Sequence, residues 1–199
     1  MKKALSIILF VFMCGVTRAQ VQLGVRAGAN IATTKNLITF PENRLGWYAG
    51  LTSNIQIKDK YFLQTELIYS SKGDESESPF GSFNRSRRFN YLNLPILFGY
   101  HFDKKTSVLL GPEFGYLCEA RLLIGRENNL NIKKEIPPRL DVGSSIGLQY
   151  TIIKYVGIEV RYTYGFNTLY SIDAVGNRYT ERNGANRVFQ MGVRYLIQP

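Results

Sequence analysis

After residue 20 the chain alternates apolar with small or charged residues, and it does so in about eight separate stretches. Val156, Ile158, Val160, Tyr162, Tyr164 and Phe166 interleave with Gly157, Glu159, Arg161, Thr163 and Gly165. Successive side chains on a strand point to opposite faces. Each stretch therefore reads as a strand with one greasy face and one small or polar face. What the chain can become depends on which of those faces meets lipid.

The first residues carry an export signal. Lys2 and Lys3 precede a mostly apolar run from Ala4 to Val16, and Thr17-Arg18-Ala19 forms an A-x-A-like site. That layout predicts a secretory signal peptide over residues 1–19, cut after Ala19. The apolar run is too short to span a bilayer as a helix, which takes roughly 20 residues. Cys14 lacks the preceding small residue that lipoprotein cleavage needs. Residues 20–199 then form a single domain with one cysteine, Cys118, so no internal disulfide is available. The net charge of +10 falls to +7 once Lys2, Lys3 and Arg18 leave with the signal. Export argues against nucleic acid as the partner of this basic chain. Acidic glycans or lipopolysaccharide phosphates suit it better, and a diffuse excess serving solubility is the plainer alternative.

Eight strands are predicted, at about residues 21–31, 45–58, 60–72, 89–102, 105–117, 139–151, 155–167 and 187–197. The connections alternate in length. Residues 32–44, 73–88, 118–138 and 168–186 are long and polar, and the three between them are short. A soluble sandwich has no reason to sort its loops this way. An antiparallel transmembrane β-barrel does, with short periplasmic turns and four long extracellular loops. Closing a sheet in lipid also stabilises a chain that has no disulfides.

The aromatics sharpen this expectation. On the apolar parity, Trp47, Tyr69, Phe114, Tyr116, Tyr164, Phe166 and Phe189 lie near the long loops. Tyr61, Tyr100, Phe102, Tyr150 and Tyr195 lie near the short turns, and aliphatic residues such as Leu51, Leu67, Leu148 and Val160 lie between. Two aromatic belts around an aliphatic band are what a bilayer selects. Twelve of the eighteen glycines fall on the opposite, polar parity. An eight-stranded barrel is just wide enough for side chains to fill, so glycines there are expected to make room for long charged ones.

The polar parity holds Arg26, Glu66, Glu113, Arg139, Asp141, Glu159, Arg161 and Arg194. Barrel closure sets Arg26 near Arg194, and an interior network of ion pairs and hydrogen bonds is expected, since buried charges must be paired. A conducting pore or proton path is the alternative. Phe62, Ile68, Leu109 and Leu117 also fall inward, which implies either apolar packing inside or a one-residue register error.

Catalysis has little to stand on. His101 is the only histidine, it is expected at the periplasmic end, and Asp141 at the other rim is a poor partner for it. No G-x-S-x-G elbow, metal-ligand spacing or cofactor motif is present, so no enzyme activity, metal or cofactor is expected. Binding would use the loops. Arg85, Arg87 and Arg88 lie among Phe80, Phe83 and Phe89, and Arg121, Arg126, Lys133 and Lys134 follow in the next loop. Such side chains suit anionic glycans or a protein partner, and a plain solvated loop is the alternative.

Gly24-Val25-Arg26-Ala27-Gly28-Ala29-Asn30, Tyr91-Leu92-Asn93-Leu94-Pro95-Ile96-Leu97, Gly111-Pro112-Glu113-Phe114-Gly115-Tyr116 and Phe189-Gln190-Met191-Gly192-Val193-Arg194-Tyr195 together resemble the PorT-like outer-membrane β-barrel proteins of Bacteroidota. The resemblance spans the mature chain and rests on barrel-building residues. It implies an OmpA/OmpX-like eight-stranded barrel in the outer membrane of a Gram-negative bacterium, monomeric and in contact with lipid and lipopolysaccharide. It also implies a non-enzymatic scaffold or accessory role in an envelope or secretion assembly. A surface ligand-binding or adhesion barrel and a narrow porin remain alternatives. Many such barrels end in an aromatic used in assembly; the run Tyr195-Leu196-Ile197-Gln198-Pro199 departs from that pattern, and Tyr195 is the candidate substitute.

Overall fold

A computed structural model of the chain describes residues 21–34, 42–76, 85–124, 128–133, 139–167, 170–172, 178–180 and 185–197. The predicted signal peptide lies outside them. Eight long strands form the wall: β1 (Val21–Thr34), β2 (Glu42–Lys58), β3 (Tyr61–Ser76), β4 (Arg85–His101), β5 (Thr106–Ile124), β7 (Leu140–Ile153), β8 (Val156–Gly165) and β11 (Asn186–Leu196). Three short strands, β6 (Asn128–Asn131), β9 (Tyr170–Ile172) and β10 (Arg178–Thr180), sit at the long-loop end. Neighbouring strands are antiparallel, and β1 pairs with β11 to close an eight-stranded antiparallel barrel. Closure leaves no open edge in the part that lipid would touch, as spanning a membrane demands.

The two faces are inverted relative to a soluble protein. Leu51 is 60% exposed and Met191 58%, while Arg161 is 2% and Glu66 3% exposed. Even-numbered residues of β1, β2, β3 and β11 point inward, as do odd-numbered residues of β5, β7 and β8 over their regular stretches. Every aromatic assigned to the belts points outward. Trp47 packs on Tyr69 with ring centroids 5.6 Å apart, Tyr164 on Phe166 at 5.7 Å, and Tyr61 on Tyr100 at 5.3 Å. Phe98 and Tyr162 share that face.

Strand ends differ from the predicted ones. β3 runs on to Ser76 and β4 begins at Arg85, so Arg85, Arg87 and Arg88 are strand residues and not loop residues. β5 likewise continues to Ile124 and carries Arg121, with β6 paired along its end. Above the aromatic belt the outward face no longer has to be apolar, so the alternation that marks a strand fades while its backbone pairing continues. Gly73 adds to the effect. Its φ of +137° breaks the pleat, and Ser71, Lys72, Gly73 and Asp74 are buried in succession. Because β7 begins opposite Tyr116, β3, β4 and β5 stand as a taller wall on one side of the mouth.

At most glycines a Cβ would meet the neighbouring strand's backbone, and a few make room for aromatic rings. Gly28 and Gly192 are cross-strand partners, and a Cβ on either would collide with the Tyr48 hydroxyl. A Cβ on Gly99 would strike the Phe62 ring. The expected room for long charged chains holds at Gly147, beside the Arg161 stem, and at Gly157, beside Arg194. Gly192→Val should therefore overpack the lumen and lower barrel stability by about 1–3 kcal/mol. Urea unfolding in lipid vesicles measures this, and an unchanged midpoint would show that Tyr48 does not fill the space.

Candidate functional site: the charged lumen and the basic mouth

Four charged side chains interlock at mid-lumen. Arg26 on β1 and Arg161 on β8 each contact both Glu66 on β3 and Glu159 on β8. The distances are 2.7 Å for Arg26–Glu66, 2.9 Å for Arg26–Glu159, 2.8 Å for Arg161–Glu66 and 2.7 Å for Arg161–Glu159. All four side chains are almost wholly buried. Amides complete the ring. Gln64 donates to Glu66, and Gln149 donates to Glu159 at 2.5 Å and to Gln64 at 3.0 Å. The Arg26 guanidinium also lies 4.7 Å from the centroid of the Tyr48 ring. Although Arg161 Nε and Gln149 Oε1 stay buried without a hydrogen-bond partner among the described residues, two cations facing two carboxylates cancel, and the amides bond one oxygen on each carboxylate. This is the arrangement under which buried ions are tolerated.

A second cluster lies nearer the mouth. Glu113 accepts from Lys72 at 3.0 Å, Ser145 at 2.8 Å and Thr163 at 3.1 Å. The cation beside Glu113 is Lys72, whose Nζ also lies 5.2 Å from the Tyr91 ring centroid. Apolar clusters flank the charges. Phe62, Leu97 and Leu109 pack together, and Phe89, Tyr91, Leu117 and Ala120 do so on the mouth side with Ile132 against them. The inward Phe62, Leu109 and Leu117 thus reflect apolar packing inside the barrel, and the register is as predicted.

Three expected members of the network stand apart. Arg194 is the Cα partner of Arg26, yet its guanidinium donates to Thr151 Oγ1 at 3.3 Å and has no carboxylate partner among the described residues. Two arginines directly opposite repel, and strand side chains can lean along the strand. Arg26 leans to the carboxylates and Arg194 to the short-turn end. Asp141 is buried near the mouth and accepts from Asn186 at 2.7 Å. Arg139 precedes β7, lies exposed, and is no part of the lumen. Full hydration there removes any need for a partner.

The basic residues at the mouth separate in the same way. Arg87 is held by Asp74 through Nε at 2.8 Å and Nη2 at 2.5 Å. Arg88 and Arg121 are exposed, and Arg121 pairs with Glu119 at 2.5 Å. Lys133 Nζ sits 6.0 Å from the Tyr116 ring centroid. Arg126, Lys134, Phe80 and Phe83 lie outside the described residues. Lys72, Asp74, Gln64, Gln149 and Tyr48 were missed as interior partners. Their even or odd parity with the known inward residues was the available signal.

At the short-turn end a concavity of about 520 Å³ is lined in part by Lys60, His101, Asp103 and Lys104. His101 Nδ1 lies 2.7 Å from Ser107 Oγ, and its ring stacks on Phe62 at 4.4 Å. Asp141, bonded to Asn186, does not join this pair. In the adjacent turn the Asp103 carboxylate accepts the backbone N–H groups of Lys105 at 2.6 Å and Thr106 at 2.7 Å. Those bonds hold its carboxyl below the usual range. Among the described residues, no three His, Cys, Asp or Glu side chains converge as metal ligands would.

Solved structures share this architecture. Neisserial surface protein A superposes with a TM-score of 0.55 at 14% identity, covering 87% of this chain and 96% of that one. Ail of Yersinia pestis, solved in complex with the heparin analogue sucrose octasulfate, superposes at 0.52 with 13% identity, covering 89% and 99%. A major outer membrane protein of Thermus thermophilus gives 0.50 at 11% identity, covering 89% and 99%. At such identities the likeness is one of fold. No curated protein matches the chain. Residues 17–171 match the outer membrane protein beta-barrel domain. With the closed barrel, the lipid-type outer face and a match over most of its length, this chain belongs to the outer membrane β-barrel family and resides in the outer membrane.

Proposed function

We propose that the protein is a non-enzymatic, non-conducting outer-membrane barrel that serves as a scaffold or accessory of an envelope or secretion assembly. The PorT-like resemblance implies the same role. The observation that carries it is the lumen itself. Arg26, Glu66, Glu159 and Arg161 join β1, β3 and β8 across the interior, and apolar clusters flank them. These ties across the interior support a plugged lumen over a pore. What the fold offers a partner is its exterior, above all the tall β3–β4–β5 wall.

In-cell crosslinking and affinity purification from the outer membrane test this reading. A near-stoichiometric envelope or secretion protein in the eluate is the expected result, and recovery as a lone barrel would count against it. Planar-bilayer recording of the purified protein should show no steady conductance. Discrete channel steps would favour the narrow porin instead.

The exposed Arg88 and Arg121 favour a second reading, a surface barrel that binds anionic ligands. The similarly folded Ail was solved with a heparin analogue. Loss of cell-surface glycan binding on substituting these arginines, with secretion intact, would support this reading over the scaffold.

A further inference from the structure

The outward face of the β4–β5 pair changes chemistry in order along the strands. Cross-strand partners run Phe98–Leu110, Leu94–Phe114 and Leu92–Tyr116, then Asn90–Glu119 beyond an irregularity at Cys118, and finally Arg88–Arg121. The first three pairs form the aliphatic band and the aromatic belt. The last sets two arginines directly opposite each other on adjacent strands, with Cα atoms about 4.5–5.5 Å apart.

Like charges so placed destabilise a sheet, and the surroundings do little to neutralise them. The row through both arginines reads Gly73, Arg88, Arg121, Asn131 across β3, β4, β5 and β6, with no acid in it. Glu119, on the same face, gives one oxygen to Arg121 at 2.5 Å and the other to Asn90 at 2.8 Å. Lys133 adds a third cation, its ammonium beside the Tyr116 ring of the belt. Among the described residues three cations share this outward face with one carboxylate, which faces both arginines, and the Arg121 side chain is 44% exposed.

The height of the patch says what it meets. Arg88 is four residues beyond Leu92, or about 13 Å along the strand and roughly 10 Å above the belt for a strand tilted by about 40°. Long cationic side chains extend toward such interfaces with their stems on apolar surface. This is the phosphate-bearing headgroup layer of the outer leaflet, seen from the barrel's lipid-facing side.

We propose that Arg88, Arg121 and Lys133 form a clamp for phosphate groups on an outer-leaflet glycolipid. A guanidinium matches a phosphate with two parallel N–H···O bonds, and an ammonium adds a point charge. One phosphate between Arg88 and Arg121 relieves their repulsion, while Tyr116 and Leu92 below receive the acyl chains. The clamp is independent of the scaffold reading.

The test uses the full barrel refolded in phosphatidylcholine nanodiscs, with bisphosphorylated lipid A as the probe. Wild type should bind it and unfold at a higher temperature in its presence. At about 1 kcal/mol for each basic residue near such a surface, Arg88→Gln should weaken binding about fivefold, and Arg88→Gln with Arg121→Gln roughly twenty-five-fold. Arg88→Gln by itself breaks no ion pair seen in the structure, so it keeps the test valid if the double variant folds poorly. Lipid A stripped of its phosphates should bind weakly to every form. Equal binding by wild type and Arg88→Gln would overturn the clamp. Displacement of lipid A by inorganic phosphate or by a soluble sulfated glycan at similar concentration would overturn the lipid as its occupant.

Discussion

Glu66→Ala should lower the stability of the folded barrel by about 3–5 kcal/mol, the largest loss expected from any single change in the lumen. Glu66 accepts from Arg26 at 2.7 Å, from both Arg161 nitrogens at 2.8 and 2.9 Å, and from Gln64. Removing it leaves two buried guanidiniums facing Glu159 alone, in a tier where water is largely excluded. The loss is the cost of an uncompensated buried charge and not the net worth of the ion pairs, which is far smaller. Glu66→Gln keeps the volume and hydrogen-bonding reach but not the charge, and should recover only part of the loss. Combining Glu66→Ala with Arg161→Leu restores charge balance and should be less harmful than the two changes summed. Urea unfolding in lipid vesicles reads all of these. Additive losses would show that Glu66 and Arg161 are not coupled, contrary to their contacts.

Val160→Arg tests the other face and should cost about 2–4 kcal/mol if the position lies at bilayer mid-depth. Val160 points outward from β8, between Leu148 on β7 and Met191 on β11, with Tyr162 and Tyr164 toward one belt and Tyr150 and Tyr195 toward the other. A guanidinium there has no partner on an aliphatic surface and is too deep to reach either headgroup layer easily. The same substitution nearer the belt, at Phe189, should cost little, since the penalty falls to about 0–1 kcal/mol near the interfaces. Equal losses at the two sites would mean that this surface does not face lipid.

These outcomes bear on function because the lumen and the outer face do different work. The lumen pairs most of its charges within itself, is tied across strands and is flanked by apolar packing. The exterior carries an unbalanced cluster of cations on its tallest wall. A search for a partner or ligand should therefore begin by changing outward residues such as Arg88 and Arg121. Changes at Arg26 or Glu66 should alter whether the barrel stands at all.

The strand parity, the two belts and the inverted burial were legible because a period of two is a local property. Leu51 and Thr52, or Val160 and Arg161, declare opposite faces without reference to any other strand. Barrel closure followed from the loop lengths and from the absence of any other way to satisfy strand edges in lipid. The strand ends were not legible. Asp74, Arg87 and Arg121 lie above the belt, where the outer face no longer has to be apolar and the alternation ends.

Nor could the local pattern say which charge meets which. Arg26 and Glu66 are 40 residues apart, and Arg161 and Glu66 are 95 apart. Their meeting depends on how far each strand is staggered against the next around the closed wall. Arg194 shows the consequence: it shares the parity of Arg26 and stands opposite it, yet it turns toward Thr151 because its neighbour holds the carboxylates. An inside-out barrel was readable from alternation, which assigns a face one residue at a time. The partners in the lumen and the arginine pair on the outer wall emerge with the closed sheet, because register and shear are properties of that sheet and of no single strand.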